Sequence, residues 1–311
     1  MLRTLAIQFL LLAGCLAGWG AAQAATVALV LSDKSAGYTE VARTITSELE
    51  RSGLAASEIV QLAESELQAK DASVPAVKVF VSIGSEAFKR VLAQDARTAV
   101  VAVLLPRSGF DRVLKDANRR ALGNVSAVVL DQPFARRVEL LRLALPDAKH
   151  VGVLMGPESV ASQTALGQAL QARGLVMEGA LVADSGALFT SLKSVLEQAD
   201  VLMAVADPVV YSSSTIANIL LTTYRAGIPM LAFSPAYVKA GALLALYATP
   251  HQLGVQAAGL ARQALQGSPS SGVQFPADFE IAVNEHVARS MGLKIDAKTL
   301  TEKLLSAGKK P

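Results

Sequence analysis

Residues 199–233 read ADVLMAVADPVVYSSSTIANILLTTYRAGIPMLAF. An apolar run stops at Asp207 and Pro208, and a hydroxyl-rich cluster, Tyr211 to Thr215, follows it. A helical stretch then leads to Gly227, and Pro229 opens a second apolar run. Strand, crossover helix, strand is the βαβ unit, and strands that are apolar on both faces belong to a parallel sheet covered by helices.

The same alternation extends outward from this stretch. Towards the N-terminus the spacing predicts strands at TVALVLS (26–32), EIVQLA (58–63), VKVFVSIGS (77–85) and TAVVAVLLP (98–106). An amphipathic helix fills 38–53, closed by Gly53, and EAFKRVLAQ (86–94) is a second. The rhythm stalls in the polar stretch 107–124, then resumes with VSAVVLDQP (125–133), HVGVLMGP (150–157) and LVMEGALVAD (175–184), each followed by a helical pattern. After residue 233 come a strand at 241–247, a helix stopped by Gly267, the linker SPSSGVQFP (268–276), and a last strand and helices. The expected fold class is α/β, with two Rossmann-like lobes built on parallel sheets. The chain is expected to change lobe near 124–133.

A chain of 311 residues has room for one large or two medium cores. With 52% hydrophobic and 18% charged residues it is no disordered chain. Lys and Arg exceed Asp and Glu by three and are dispersed, so a sequence pI near 9.0 does not signal nucleic acid. Mean hydropathy is +0.40, yet no internal stretch reaches the roughly 18 apolar residues of a spanning helix. The N-terminus, MLRTLAIQFLLLAGCLAGWGAAQA (1–24), has a basic start, an apolar centre and a small-residue end. It reads as a secretory signal cut after Ala24. LAGC, ending at Cys15, supports a second reading as a lipid-anchored product; either one is exported. Cys15 is the single cysteine, so no disulfide framework is expected.

Ligands of parallel α/β sheets sit beyond the carboxyl ends of the strands. In the first lobe that rule selects Ser32, Asp33 and Tyr38, then Gly84, Ser85 and Glu86. In the second it selects Gly156, Pro157, Glu158 and Ser159, then Asp207 and Tyr211, then Phe233. Ser85 starts a helix, where free amides and a hydroxyl suit an anion, although a plain N-cap has the same signature. Asp207 suits a ligand ammonium or hydroxyl, or a loop-capping role. Tyr211 either stacks on a flat ligand or covers the cleft edge. For catalysis the chain is under-equipped: three histidines stand apart, and no nucleophile elbow, phosphate loop or dinucleotide fingerprint occurs. No metal or cofactor is expected.

The distal part of the chain carries a resemblance. DPVVYSSS (207–214), GIPMLAF (227–233), KAGALLAL (239–246), HQLGVQAAGLARQALQG (251–267) and VNEHVARSMGL (283–293), in that order, resemble the substrate-binding proteins of ABC transporters. The similar subgroup includes tryptophan/tyrosine-type binding proteins. The resemblance spans about 26–306 and is clearest from 199 onward. It implies a type I periplasmic-binding-protein-like fold with a ligand cleft between lobes at 26–124 plus 236–274 and 125–235 plus 275–311. It also implies ligand contacts at SIGSEAF (82–88), GPES (156–159) and Asp207. The expected role is a non-enzymatic periplasmic protein that passes an amino acid or small carboxylate-like molecule to an inner-membrane permease. A sensor docking on a membrane receptor or kinase, and a hydrolase or isomerase, are the competing roles. The family often has Thr where this chain has Ser85, and SDKSAGY (32–38) departs from its usual loop, so an aromatic amino acid is not carried over as ligand.

Overall fold

The computed structural model describes residues 26–67, 77–94, 98–117 and 123–308; the expected signal segment with Cys15 lies outside them. Two six-stranded sheets organise the chain. The first has the order β11-β5-β4-β3-β1-β2. Its strands are β1 (Val27–Leu31), β2 (Ile59–Ala63), β3 (Val79–Ile83), β4 (Ala99–Leu105), β5 (Val125–Val129) and β11 (Gly272–Gln274). The second has the order β12-β10-β9-β8-β6-β7. Its strands are β6 (His150–Met155), β7 (Val176–Leu181), β8 (Val201–Met203), β9 (Met230–Ala232), β10 (Leu244–Tyr247) and β12 (Glu280–Val283). Every pairing is parallel except β10 with β12.

The helices are α1 (Ala36–Arg51), α2 (Ser85–Leu92), α3 (Arg107–Asp116), α4 (Phe134–Ala144), α5 (Gln163–Gln171) and α6 (Leu188–Leu196). They continue with α7 (Ile216–Arg225), α8 (Pro235–Ala240), α9 (Pro250–Leu265), α10 (Glu285–Ser290) and α11 (Ala297–Ala307). Central strands such as β1 and β3 are buried at every residue because helices cover both faces, as their unbroken apolar runs predict. Alternate residues of β1 go to opposite cores: Val27, Leu29 and Leu31 pack towards α1 and α9, and Ala28 and Val30 towards α2 and α3. Each Val or Leu removed from water here contributes about 1.5–3 kcal/mol.

The expected lobe limits need correction at two strands. β5 pairs with β4 in the first sheet rather than opening the second lobe, and β10 pairs with β9 in the second sheet rather than returning to the first. The helix α8 packs on β9 and β10 and stays with them. The polar stretch after β4 contains α3, whose Phe110, Val113 and Leu114 lie on the first core. Part of the linker forms β11, which pairs with β5. The chain therefore passes between lobes three times, at 130–133, 248–249 and 275–279. Strand membership is a long-range pairing choice, which local periodicity does not encode.

Arg136 joins two of these passages. Its guanidinium donates to Gln132 Oε1 (2.6 Å), Pro276 O (2.9 Å) and Ala277 O (3.3 Å), and it lies 4.9 Å over the Phe279 ring.

Candidate functional site

On the first lobe the rim is set by the turn from β3 into α2. Gly84 has φ +94°, and a Cβ there would come within 2.6 Å of both Ser32 Oγ and Tyr38 Cε1. Only glycine lets this turn close on the loop after β1. Ser32 Oγ accepts from Ala87 N (2.7 Å), so the first lobe's own hydroxyl caps α2. Ser85 is therefore not the cap: the N-cap residue is Gly84 and Ser85 is the first helical residue. Gly84 N donates to Val103 O and Phe88 N to Gly84 O. Among the described residues the amides of Ser85 and Glu86 and the Ser85 hydroxyl keep no protein partner. They present donors at the positive end of the helix dipole.

The neighbouring candidates have local duties. Asp33 is exposed and accepts from Ser35 N (2.5 Å), which holds its carboxyl below the usual range. Half-buried Tyr38 lies against Gly84; burial, then the Asp33 charge, pushes its phenol up. Glu86 is exposed.

On the second lobe Asp207 is the knot. Its carboxylate is 3% exposed and fully engaged by the chain. Oδ2 accepts from Glu158 N (3.0 Å), Ser159 N (2.9 Å) and Ser159 Oγ (2.9 Å), while Oδ1 accepts from Val209 N (2.9 Å). The loop after β6 is thus tied to the loop after β8. Gly156 makes this possible, since a Cβ there would stand 2.3 Å from Asp207 Oδ1. Pro157 is exposed in the same loop. Of the two roles expected for Asp207, the geometry fits the loop-holding one.

Glu158 turns outward from this loop and makes an ion pair with Arg112 of α3, on the opposite lobe. The segments that follow β4 and β6 are thereby brought together across the two lobes. The loops after β8 and β9 carry an aromatic group. Tyr211 meets Phe233 edge-on (5.9 Å, 86°), and Phe233 meets Tyr237 (5.1 Å, 62°). The Tyr211 ring is buried, whereas Phe233 and Tyr237 are half-buried. Burial pushes the Tyr211 phenol well above its usual range, against the opposing Arg137 charge.

Sequence reasoning passed over Arg112, Tyr237 and Arg137. Arg137 had a readable signal, because it falls on the apolar stripe of α4 with Leu140, Leu141 and Ala144. Among the described residues no cluster of three metal-ligating side chains occurs. A groove of about 630 Å³ lies elsewhere, between α4 and α11, lined by Glu139, Leu143, Arg173 and Glu302.

Two lobes of this topology, joined by three passages, define a periplasmic-binding-protein-like molecule. The chain belongs to the ABC transporter substrate binding protein family, whose sequence model matches residues 72–305. No curated protein matches it. Among solved structures it is similar to a Streptococcus pneumonia ABC domain in complex with L-Trp, at 17% identity and TM-score 0.63, covering 89% of this chain and 97% of that one. It is also similar to a ligand-free, open substrate binding protein with adhesive properties from Clostridium difficile, at 18% identity and TM-score 0.67, covering 87% and 96%. A solute binding protein from Agrobacterium vitis bound with alpha-D-tagatopyranose matches at 15% identity and TM-score 0.51, covering 87% and 99%. At these identities the likeness concerns the fold.

Proposed function

We propose that this protein is an exported solute receptor that captures a small molecule, an amino acid or small carboxylate-like compound, between its lobes and hands it to an inner-membrane ABC permease. The observation that carries this reading is the pairing of two unlike rims across one gap. One rim offers the open Ser85 and Glu86 amides with the Ser85 hydroxyl; the other offers the Asp207-held loop and the half-buried Phe233. In this reading Ser85 and its amides bind the ligand directly. Asp207, Gly156 and Ser159 hold the loop that presents Glu158, and Gly84 with Ser32 shapes the opposite wall. Tyr38 closes the outer edge. Family membership supports transport over a sensor role, and the signal-like leader supports export.

A thermal-shift screen of the mature protein against amino acids, small carboxylates and sugars tests the proposal. A ligand that binds only the folded state raises Tm, by the equivalent of about 2.7 kcal/mol at a hundredfold excess over Kd. Ser85→Ala is expected to weaken the hit about 3- to 10-fold. An unchanged Kd in that variant removes Ser85 from the site, and no hit anywhere in the screen sinks the receptor reading. Mass spectrometry of the exported N-terminus decides between cleavage after Ala24 and lipidation at Cys15. Genes for a permease and an ATPase beside this one would support delivery.

A further inference from the structure

Arg137 is 5% exposed, near the carboxyl end of β8, where its Nη2 donates to Ala204 O. It forms no ion pair among the described residues, and its Nε has no partner. Two more buried groups are unpartnered: the hydroxyl of Tyr211 (6% exposed), in the loop after β8, and Nε2 of Gln132 (5% exposed), which precedes α4. Arg137 and Tyr211 are both held at the carboxyl end of β8, Arg137 through Ala204 O and Tyr211 through its amide on Asp207 O, and the Arg137 charge acts on the Tyr211 phenol. Gln132 lies in the first passage between lobes, held there by Arg136 on its Oε1, which leaves the amide nitrogen free.

These three orphaned atoms are all able to donate. An unpaired buried cation is among the most unfavourable arrangements a protein can hold, and buried polar atoms without partners are few in native folds. Burial drives the Arg137 guanidinium down to about 10, so it still carries its charge at neutral pH. Asp131 is the anion nearest in effect, but it makes no ion pair with Arg137; its Oδ2 accepts from Arg107 N (2.6 Å). A sugar hydroxyl would need acceptors as well as donors here, and an ammonium would be repelled. A carboxylate, with two oxygens and no proton to place, satisfies the set.

We infer that Arg137, Tyr211 and Gln132 form the subsite for a carboxylate group of the bound molecule, at the hinge end of the cleft. This inference rests on the proposed receptor function and names its ligand class. The opposite helix end of α2, with the Ser85 amides, then receives a different part of the ligand.

The test uses acetate, succinate, phenylacetate and the proteinogenic L-amino acids, each beside its carboxamide, with a set of neutral sugars as control. Thermal shift and calorimetry are run on the mature wild-type protein and on Arg137→Gln and Tyr211→Phe. At least one carboxylate is expected to bind the wild type and exceed its amide by about 30-fold or more. Arg137→Gln is expected to erase that preference. Tyr211→Phe, which removes one oxygen and retains the ring packing, is expected to weaken the carboxylate about 5-fold; it stands as the readout if Arg137→Gln does not fold. A structural role alone would lower Tm without altering the ratio of carboxylate to amide affinity. Equal affinity for acid and amide, no carboxylate bound, or a carboxylate bound unchanged by both variants overturns the subsite. A sugar bound equally by wild type and Arg137→Gln overturns the subsite and leaves the receptor function standing; absence of all binding overturns both.

Discussion

Asp207 shows how one carboxylate can organise a rim without touching what the rim holds. Its four donors belong to two loops, so removing it strands the part-buried amides of Glu158 and Val209, while Ser159 N keeps Gly156 O as acceptor. Each stranded group costs about 1–3 kcal/mol. Asp207→Ala is therefore expected to lose about 2 kcal/mol or more in urea denaturation, and to weaken ligand binding through a loosened Glu158 loop. A loss under about 1 kcal/mol would contradict the knot. Asp131 supplies the pH dependence. Burial raises its carboxyl above the ordinary 3.8, outweighing the Arg107 amide and the Arg137 charge. Because the folded state disfavours the ionised form, its contribution is fully present below 3.8 and is lost as pH rises through the folded value. The difference in Tm between wild type and Asp131→Asn, followed from about pH 3 to pH 7, should shift in the variant's favour as pH rises. A flat difference would place Asp131 in solvent.

At the scale of elements, α1 packs extensively against α9, and together they cover one face of the first sheet. Gly254 allows it: a Cβ there would stand 2.8 Å from Thr44 Cβ and 3.2 Å from Val41 O. Gly254→Ala must separate the helices or bend them, and overpacking of this kind typically costs about 1–3 kcal/mol despite alanine's better helix propensity. Chemical denaturation checks this, and a stabilised variant would mean the helices can part freely. The α9 helix begins at a strong signal, Thr249 capping Gln252 N (3.1 Å) while Gln252 Oε1 accepts from Thr249 N (2.9 Å), with Pro250 in the first turn. That boundary is readable from residues alone. The bulge in β4 is not: the register with β5 shifts between Val103 and Leu105, and Leu104 takes φ 61° there. Nothing in TAVVAVLLP announces a left-handed leucine.

At the scale of the molecule, the two lobes touch through Arg112 and Glu158 and are joined by three short passages, two of them clipped together by Arg136. The ion pair has one partner about half exposed, so it contributes no more than roughly 1 kcal/mol, about a fivefold bias between arrangements of the lobes. Arg112→Ala is expected to raise the solution radius of gyration of the unliganded protein slightly by small-angle scattering. Saturating ligand should restore the compact value, since closure on a ligand is a hinge motion. An unchanged radius in both states would argue for a rigid pair of lobes.

Taken by itself, the amino-acid sequence determined most strands and helices, their alternation and the family, though not α3 or β11, because apolar periodicity and capping act over a few residues. It also picked out the strand ends where Gly84, Ser85, Glu158 and Asp207 lie, because chemistry in such sheets has a fixed address. What only the tertiary structure decided was which sheet takes β5 and β10, that Ser32 rather than Ser85 caps α2, and that Asp207 serves its own loops. It alone left Arg137 Nε, the Tyr211 hydroxyl and Gln132 Nε2 buried without partners. Those are matters of which distant residues meet, and contacts between atoms far apart in the chain are settled by packing, which no local pattern records.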